Sequence, residues 1–139
     1  GIDLEVRLMP WDPMFELAKA PHPKDRQDVF YLIWWPDYYD PYGILRPVYH
    51  SEEEIMWNLA YYYNPKVDQL MDEAYAVTGT DKEKAKELYF QAQQTIVDDA
   101  PVIFLFDYVF LRAAKASLKG FVDNPLYVET VFWYDCYRE

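Results

Sequence analysis

The sequence predicts an α/β fold, because segments with strand-like and helix-like hydrophobic patterns alternate along its 139 residues. Hydrophobic residues make up 52% of the chain and aromatic residues 19%, so the chain can bury a core and is unlike a disordered segment. It begins with Gly1, and a strand pattern starts at once. We therefore expect a processed chain or a fragment of a longer protein.

Four elements are predicted near the N-terminus. Apolar and polar residues alternate over residues 2–8, which predicts a strand with one buried face. Asp12 and Pro13 form an N-cap and N1 pair that predicts a short helix. The uninterrupted apolar run 29–35 predicts a strand buried on both faces. Two prolines and a glycine predict that 36–43 is an irregular loop.

Two amphipathic helices are predicted in the second half of the chain, one capped by Asn64 and one starting at Asp81. An acidic cluster at 51–54 predicts a further helix start. The apolar positions of the two amphipathic helices should face the core, and they are Val67, Leu70, Met71, Ala74, Ala85, Leu88, Tyr89, Ala92 and Ile96. Further extended segments are predicted at 102–106, 108–114 and 128–137.

The charge and the reactive side chains exclude several functions. Acidic residues outnumber basic ones 24 to 13, and no segment supplies the basic stripe that nucleic acids or anionic membrane surfaces require. The single cysteine and the two distant histidines lack metal-ligand spacing, so we expect no metal and no cofactor. No nucleophile-elbow, zinc-protease or P-loop motif is present, and we expect no catalytic residues.

The loop that follows the buried run 29–35 is the first candidate for a functional site. Ligands of open α/β sheets bind outside the strand ends, and this loop is lined by tryptophan, tyrosine and aspartate. Three consecutive tyrosines at 61–63 offer hydroxyls or stacking faces, although they cannot all face one way. Asp37 and Asp40 also suggest a glycosidase, but their spacing does not define the distance between their oxygens. From the pattern alone, Asp37 is better interpreted as a brace of the loop and Trp34 as a core residue.

Short motifs occur in order along the chain: GIDLEV at 1–6, WWPDYYDP at 34–41, YNPKVDQL at 63–70, a segment from ELY to DDAPVI at 87–103, and KGF at 119–121 followed by Asn124 and Pro125. Together they resemble the C-terminal part of the dipeptide/oligopeptide-type solute-binding proteins of ABC importers, family 5. The chain differs from the family pattern at Ile33, where glycine is usual, and at Pro36, where a small residue is usual.

The resemblance implies the C-terminal lobe of a two-lobed, type II periplasmic-binding-protein-like fold, with a mixed sheet flanked by helices. Residues 1–107 would belong to the second ligand-binding lobe, and residues 108–139 would cross the hinge and return to the first. The implied function is the capture of an extracytoplasmic solute by hinge closure. The implied partners are an oligopeptide or oligosaccharide ligand, the N-terminal lobe of the same protein and the membrane permease subunits. The implied location is the periplasm or the cell surface, with a lipid or membrane anchor.

The resemblance also implies a set of ligand-binding residues, which are Trp34, Asp37, Tyr38, Tyr39 and Tyr61. Asp37 matches the family position that pairs with the α-ammonium of a peptide, and Trp34 matches a tryptophan that lines the same pocket. A carboxylate in a cleft that excludes water holds a cation through a charge-assisted hydrogen bond. An indole covers much ligand surface at little cost in conformational entropy.

Alternative functions stay open at this point. The many tyrosines and tryptophans suit stacking on a sugar, whereas Asp37 suits an ammonium group, so the sequence does not separate an oligosaccharide from a peptide. A carbohydrate-processing enzyme domain or an aromatic-rich carbohydrate-binding module is a second interpretation. A purely structural fragment that binds nothing alone is the third.

Overall fold

The computed structural model describes residues 1–107, 109, 111–124 and 130–139. The chain divides into two compact units, residues 1–102 and residues 103–139. The first unit contains helices α1 (Trp11–Ala18), α2 (Pro41–Tyr49), α3 (Pro65–Val77) and α4 (Lys82–Asp99), with a 3-10 turn at Pro23–Asp25. Across the described part of the chain, no helix has both the length and the hydropathy needed to cross a membrane.

The core of the first unit lies between α3 and α4, and α2 packs against both helices. All nine apolar positions predicted for the two long helices are buried, which confirms the prediction of their inner faces. Leu45 of α2 completes the cluster. The prediction succeeds because the three- and four-residue spacing alone places these side chains on one side of each helix.

The predicted caps of the two long helices are present. The side-chain oxygen of Asn64 accepts a hydrogen bond from the N–H of Lys66 at 3.1 Å, and Asp81 accepts one from the N–H of Lys84 at 3.0 Å. Each cap satisfies a backbone donor that the first helical turn leaves unpaired. At its other end α4 stops at Ala100, whose φ of 49° is left-handed.

The starts of the two shorter helices differ from the predictions. Residues 36–43 are not irregular throughout, because α2 begins at Pro41. Proline suits the first helical position, and the preceding residue, Asp40, caps α2 with its side chain. Helix α1 begins at Trp11, one residue before the predicted N-cap Asp12, and it has no side-chain cap. The carboxylate of Asp12 therefore lies in the first turn, where the helix dipole favours it.

The acidic residues 51–54 do not start a helix, so that prediction is wrong. The carboxylate of Glu52 instead accepts hydrogen bonds from the three backbone N–H groups of residues 56–58. Asn58 is almost completely buried, and its amide donates to the carbonyl of Tyr62 at 2.7 Å. These side chains satisfy backbone groups that a helix would have paired internally, and the segment forms a loop.

The predicted mixed sheet is not found among the described residues. Residues 2–8, 29–35 and 102–106 carry no strand, and the sheet that is present is a single antiparallel pair, β1 (Leu118–Lys119) and β2 (Tyr137–Arg138). A strand is defined by hydrogen bonds to a neighbour that can lie far away in the sequence. An apolar pattern identifies side chains that suit a sheet, but it does not identify the neighbouring strand with which they would pair.

The apolar residues of these segments are also more exposed than predicted. Ile2 and Leu8 are 94% and 95% exposed, although their alternation predicted a buried face. Within 29–35, Val29 and Ile33 are more than half exposed, so the run is not buried on both faces. The described residues provide no layer that covers these side chains.

The second unit consists of the β1–β2 pair and a 3-10 turn at Trp133–Asp135. Gly120, which follows β1, has a φ of 74°, and a Cβ there would collide with the carbonyl oxygen of Asp135. The turn therefore requires glycine. The sequence predicts an extended segment at 128–137, but within it Trp133–Asp135 form the 3-10 turn. Predictions that depend on Tyr108, Phe110 or residues 125–129, including the strand 108–114 and the turn at Pro125, lie outside the described residues.

Candidate functional site

The loop 36–40 is fixed at both ends by Gly43, in the first turn of α2. The N–H of Gly43 donates to Oδ1 of Asp40 at 2.9 Å, which is the N-cap bond of the helix. The carbonyl of Gly43 accepts a hydrogen bond from Nε1 of Trp34 at 3.2 Å. Trp34 precedes the loop and Asp40 is its last residue, and both bind Gly43, so the loop is a short connection that is held at both ends.

Asp37 and Tyr39 project from this loop. Both side chains are exposed, and within the described part of the chain Asp37 has no hydrogen bond and no ion pair. Pro36 beside it is buried. The loop, whose ends are held, therefore presents a carboxylate that makes no hydrogen bond or ion pair with any described residue.

Tyr38 packs back onto the start of α2. Its carbonyl oxygen and its ring both occupy the space that a Cβ at Gly43 would need. Burial, and next the nearby Asp40 carboxylate, raise the pKa of the Tyr38 phenol. Tyr42, one turn into the same region, stacks on Tyr75 of α3 with ring centres 4.2 Å apart. The Tyr38 phenol is consequently uncharged at physiological pH, and the residue is 46% exposed.

Trp34 also belongs to an aromatic cluster, which comprises Trp11, Phe15, Phe30, Trp34 and Trp57. The ring of Trp57 lies 5.3 Å from that of Trp34 and 5.0 Å from that of Phe15. These separations are typical of stabilising aromatic pairs. Much of the Trp34 indole is thus occupied by packing and by its bond to Gly43, which supports the core interpretation for part of this side chain.

Tyr61 lies at a different place from the other four predicted ligand residues. Its hydroxyl donates to the carbonyl of Ala18 at 2.5 Å, and the Arg26 guanidinium lies 4.6 Å from the centre of its ring. Burial raises the pKa of Tyr61, and Arg26 opposes that shift. Tyr61 lines a cavity of about 240 Å³ whose other walls are Arg26, Glu52, Glu53, Ile55, Asn58, Tyr62 and Tyr63. Trp34, Asp37, Tyr38 and Tyr39 thus lie on one segment of the chain, whereas the contacts of Tyr61 are with Ala18 and Arg26.

The geometry does not support a catalytic pair formed by Asp37 and Asp40. The Asp40 carboxylate is engaged with the backbone of its own helix, so it is not paired with Asp37 across a substrate site. Within the described ranges, no three side chains of the His, Cys, Asp or Glu type lie close enough to hold a metal ion.

Sequence reasoning missed two residues that shape the site. Gly43 joins the two ends of the loop, and Arg26 covers Tyr61. For Gly43 a signal was available, because Asp40 and Pro41 have the N-cap and N1 residue types of a helix start. No local pattern identifies Arg26, since Tyr61 is distant from it in sequence.

Comparison with known proteins finds relatives that are named as dipeptide- or oligopeptide-binding proteins. The probable D,D-dipeptide-binding periplasmic protein DdpA of Escherichia coli K12 is 36% identical over 110 residues, 78% of this chain and 21% of that protein. The periplasmic oligopeptide-binding protein OppA of Haemophilus influenzae is 36% identical over 120 residues, 86% of this chain and 20% of that protein. The dipeptide-binding protein DppE of Bacillus subtilis 168 is 26% identical over 135 residues, 97% of this chain and 23% of that protein.

The chain is homologous to one part of the family 5 peptide-binding proteins of ABC transporters. The resemblance indicated by the motifs is thereby confirmed. These relatives are solute-binding proteins and not enzymes. The chain spans about a fifth of the length of the curated relatives it matches. No family model matches the chain, and no solved structure matches it significantly.

Proposed function

We propose that this chain is part of the ligand-binding lobe of the substrate-binding component of an ABC importer, and that the ligand is a peptide. The observation that supports this most directly is the exposed Asp37 carboxylate on a loop fixed at both ends. The three relatives above are named for dipeptides or oligopeptides, and none of them is named for a sugar. This favours a peptide over the oligosaccharide that the aromatic composition left open.

In this proposal Asp37 binds the α-ammonium group of the peptide. Within the described residues the carboxylate has no cationic partner, so a ligand cation does not have to displace one. When the lobes close, water leaves the site, and a hydrogen bond between ionised groups becomes stronger than it is on an open surface. Binding then shifts the population to the closed form, because this contact is made only there.

The aromatic residues of the loop provide the walls of the proposed site. Tyr38 and Tyr39 have exposed rings beside Asp37, and Trp34 contributes the part of its indole that the aromatic cluster leaves uncovered. Tyr61 has its hydroxyl bonded to Ala18. Its proposed contribution is therefore the ring alone, in the separate cavity with Arg26.

The remaining parts of the proposal concern the complete protein. Residues 1–107 would form part of the second lobe, and residues 108–139 would cross the hinge and return to the first lobe. The partners would be the N-terminal lobe and the permease subunits, and the location would be periplasmic or at the cell surface. Two of the relatives above carry the word periplasmic in their names, which supports this location.

The role of Asp37 is tested by calorimetry of the complete protein with trialanine and with N-acetyl-trialanine. We expect Asp37→Asn to weaken binding of the free peptide by about tenfold or more, since hydrogen bonds to charged groups contribute about 1.5–3 kcal/mol. The acetylated peptide has no ammonium group, so the same variant should change its affinity little. The matched control is Asp3→Asn, which removes another exposed carboxylate and should change neither affinity.

Two results would contradict the proposal. If Asp37→Asn binds trialanine as tightly as the unmodified protein, Asp37 is not the anchor of the ligand. If the complete protein binds a maltooligosaccharide and no di- to tetrapeptide, the ligand class is wrong.

A further inference from the structure

Gly43 makes three contacts in a space that admits no side chain. Its N–H binds Asp40, its carbonyl binds the indole of Trp34, and its Cα faces Tyr38. A Cβ at this position would lie 2.8 Å from the carbonyl oxygen of Tyr38 and 3.2 Å from Cε2 of its ring. The first distance is shorter than any normal contact of a Cβ with backbone, so the two cannot coexist without a displacement.

We propose that Gly43 is a positioning residue that fixes the loop 36–40, and thereby the Asp37 carboxylate, for ligand binding. This inference depends on the proposed function of Asp37. Trp34 fastens the chain before the loop and Asp40 fastens it after, both to Gly43. The carbonyl oxygen of Tyr38, which is the next residue after Asp37, lies 2.8 Å from the position that a Cβ of residue 43 would take.

The consequence for binding is preorganisation. A carboxylate on a free loop loses conformational entropy when a ligand orders it, and that loss weakens affinity. Here the loop is short, contains Pro36 and is tied at both ends, so much of the ordering is already present in the folded chain. A change that moves the Tyr38 carbonyl should therefore weaken the contact of Asp37 with the ammonium group while leaving the helical core in place.

Gly43 is informative because the helix itself would tolerate alanine. Gly43 lies inside α2, where alanine is the better helix former by about 1 kcal/mol. Gly43→Ala therefore opposes the loop contact without weakening the intrinsic preference of the helix. The matched control is Gly79→Ala, because a Cβ at Gly79 meets nothing within 4 Å.

The test measures affinities of the complete protein for trialanine and N-acetyl-trialanine. We expect Gly43→Ala to weaken binding of trialanine by about tenfold, because a charged hydrogen bond is misaligned, and to change binding of the acetylated peptide much less. Gly79→Ala should leave both affinities unchanged. Circular dichroism and urea unfolding show whether Gly43→Ala retains its fold.

A second pair of variants, at Asp40, decides the matter if Gly43→Ala does not fold. Asparagine also accepts the N-cap bond, whereas alanine does not. We expect Asp40→Ala to lose the part of the affinity that depends on the ammonium group, and Asp40→Asn to retain it. If Asp40→Asn loses as much as Asp40→Ala, the negative charge of Asp40 acts on the ligand directly, and the positioning proposal is overturned.

The outcomes separate this proposal from the proposed function. If Asp37→Asn weakens trialanine binding while Gly43→Ala and Asp40→Ala both bind normally, Asp37 is the anchor but Gly43 does not position it. If Asp37→Asn has no effect, the proposed function of the loop fails, and the positioning proposal fails with it.

Discussion

Tyr62, Asn64 and Asp99 show how single side chains connect the loops to the helices. The Tyr62 hydroxyl donates to Asp99 Oδ2 at 2.6 Å, and the Asn64 amide donates to the same oxygen at 2.8 Å. Asp99 is the last residue of α4, where the helix dipole disfavours a negative charge. The bonds from Tyr62 and Asn64 lower the pKa of Asp99 and thus stabilise the carboxylate at this position.

The same contact predicts an unusual titration of Tyr62. Burial, and next the hydrogen bond to Asp99, raise the pKa of Tyr62 to about 12 from an ordinary value of 10.0. The folded chain therefore keeps this proton between pH 10 and about 12 while the unfolded chain loses it, so the free energy of unfolding should fall as pH rises through that window. Tyr62 should therefore contribute to the part of the tyrosinate absorbance that appears late, together with Tyr38 and Tyr61, whose pKa values are also raised.

Tyr62→Phe should reduce the late absorbance by the contribution of one phenol, and Tyr63→Phe, which removes an exposed neighbour, should leave the late absorbance unchanged. A Tyr62→Phe protein with an unchanged late titration would assign it to a different tyrosine.

At the scale of elements, patterns within about 15 residues were sufficient for the helices and insufficient for the strands. The buried faces of α3 and α4 and the caps Asn64 and Asp81 follow from local spacing and residue type. The run 29–35 was predicted as a buried strand, yet it forms no strand among the described residues. Asp37 and Tyr39 were predicted as ligand-binding residues because a motif marks their loop. The link from Trp34 to Gly43 was not, because it joins residues of two different elements.

The C-terminal end of α4 offers a test of local backbone strain. Ala100 adopts a left-handed conformation, with φ 49° and ψ 48°. That conformation costs an L-residue about 1–2 kcal/mol, whereas the greater freedom of glycine in the unfolded chain costs about 0.4–1 kcal/mol. We therefore expect Ala100→Gly to raise the free energy of unfolding by about 0.5–1 kcal/mol in urea titrations followed by circular dichroism.

The matched control is Ala76→Gly, at an exposed position inside α3, where the same substitution should destabilise the chain by about 0.5–1 kcal/mol. If both variants lose stability equally, the conformation at Ala100 carries no strain that glycine relieves.

At the scale of the whole molecule, the chain combines a buried helical core with a large amount of uncovered apolar side chain. Met71 and Ile96 are at most 1% exposed, whereas Ile2, Leu8 and Leu111 are more than 90% exposed. Natural proteins rarely leave contiguous apolar surface uncovered unless another surface packs against it. Together with a chain that spans about a fifth of its relatives, this supports the proposal that further segments of a complete protein cover it.

This proposal predicts different hydrogen exchange in the chain alone and in the complete protein. Residues 2–8 and 29–35 have strand-like patterns, and in the complete protein their N–H groups should pair in a sheet and exchange slowly. In the chain alone the amides of 2–8 and 29–34 should exchange more quickly, since these residues form no strand within the described part of the chain. The α3 and α4 amides near Met71 and Ile96 serve as the internal reference, because their helical bonds are buried in both forms. Equally fast exchange of residues 29–35 in the two proteins would show that these residues form no strand, and that the mixed sheet does not include them.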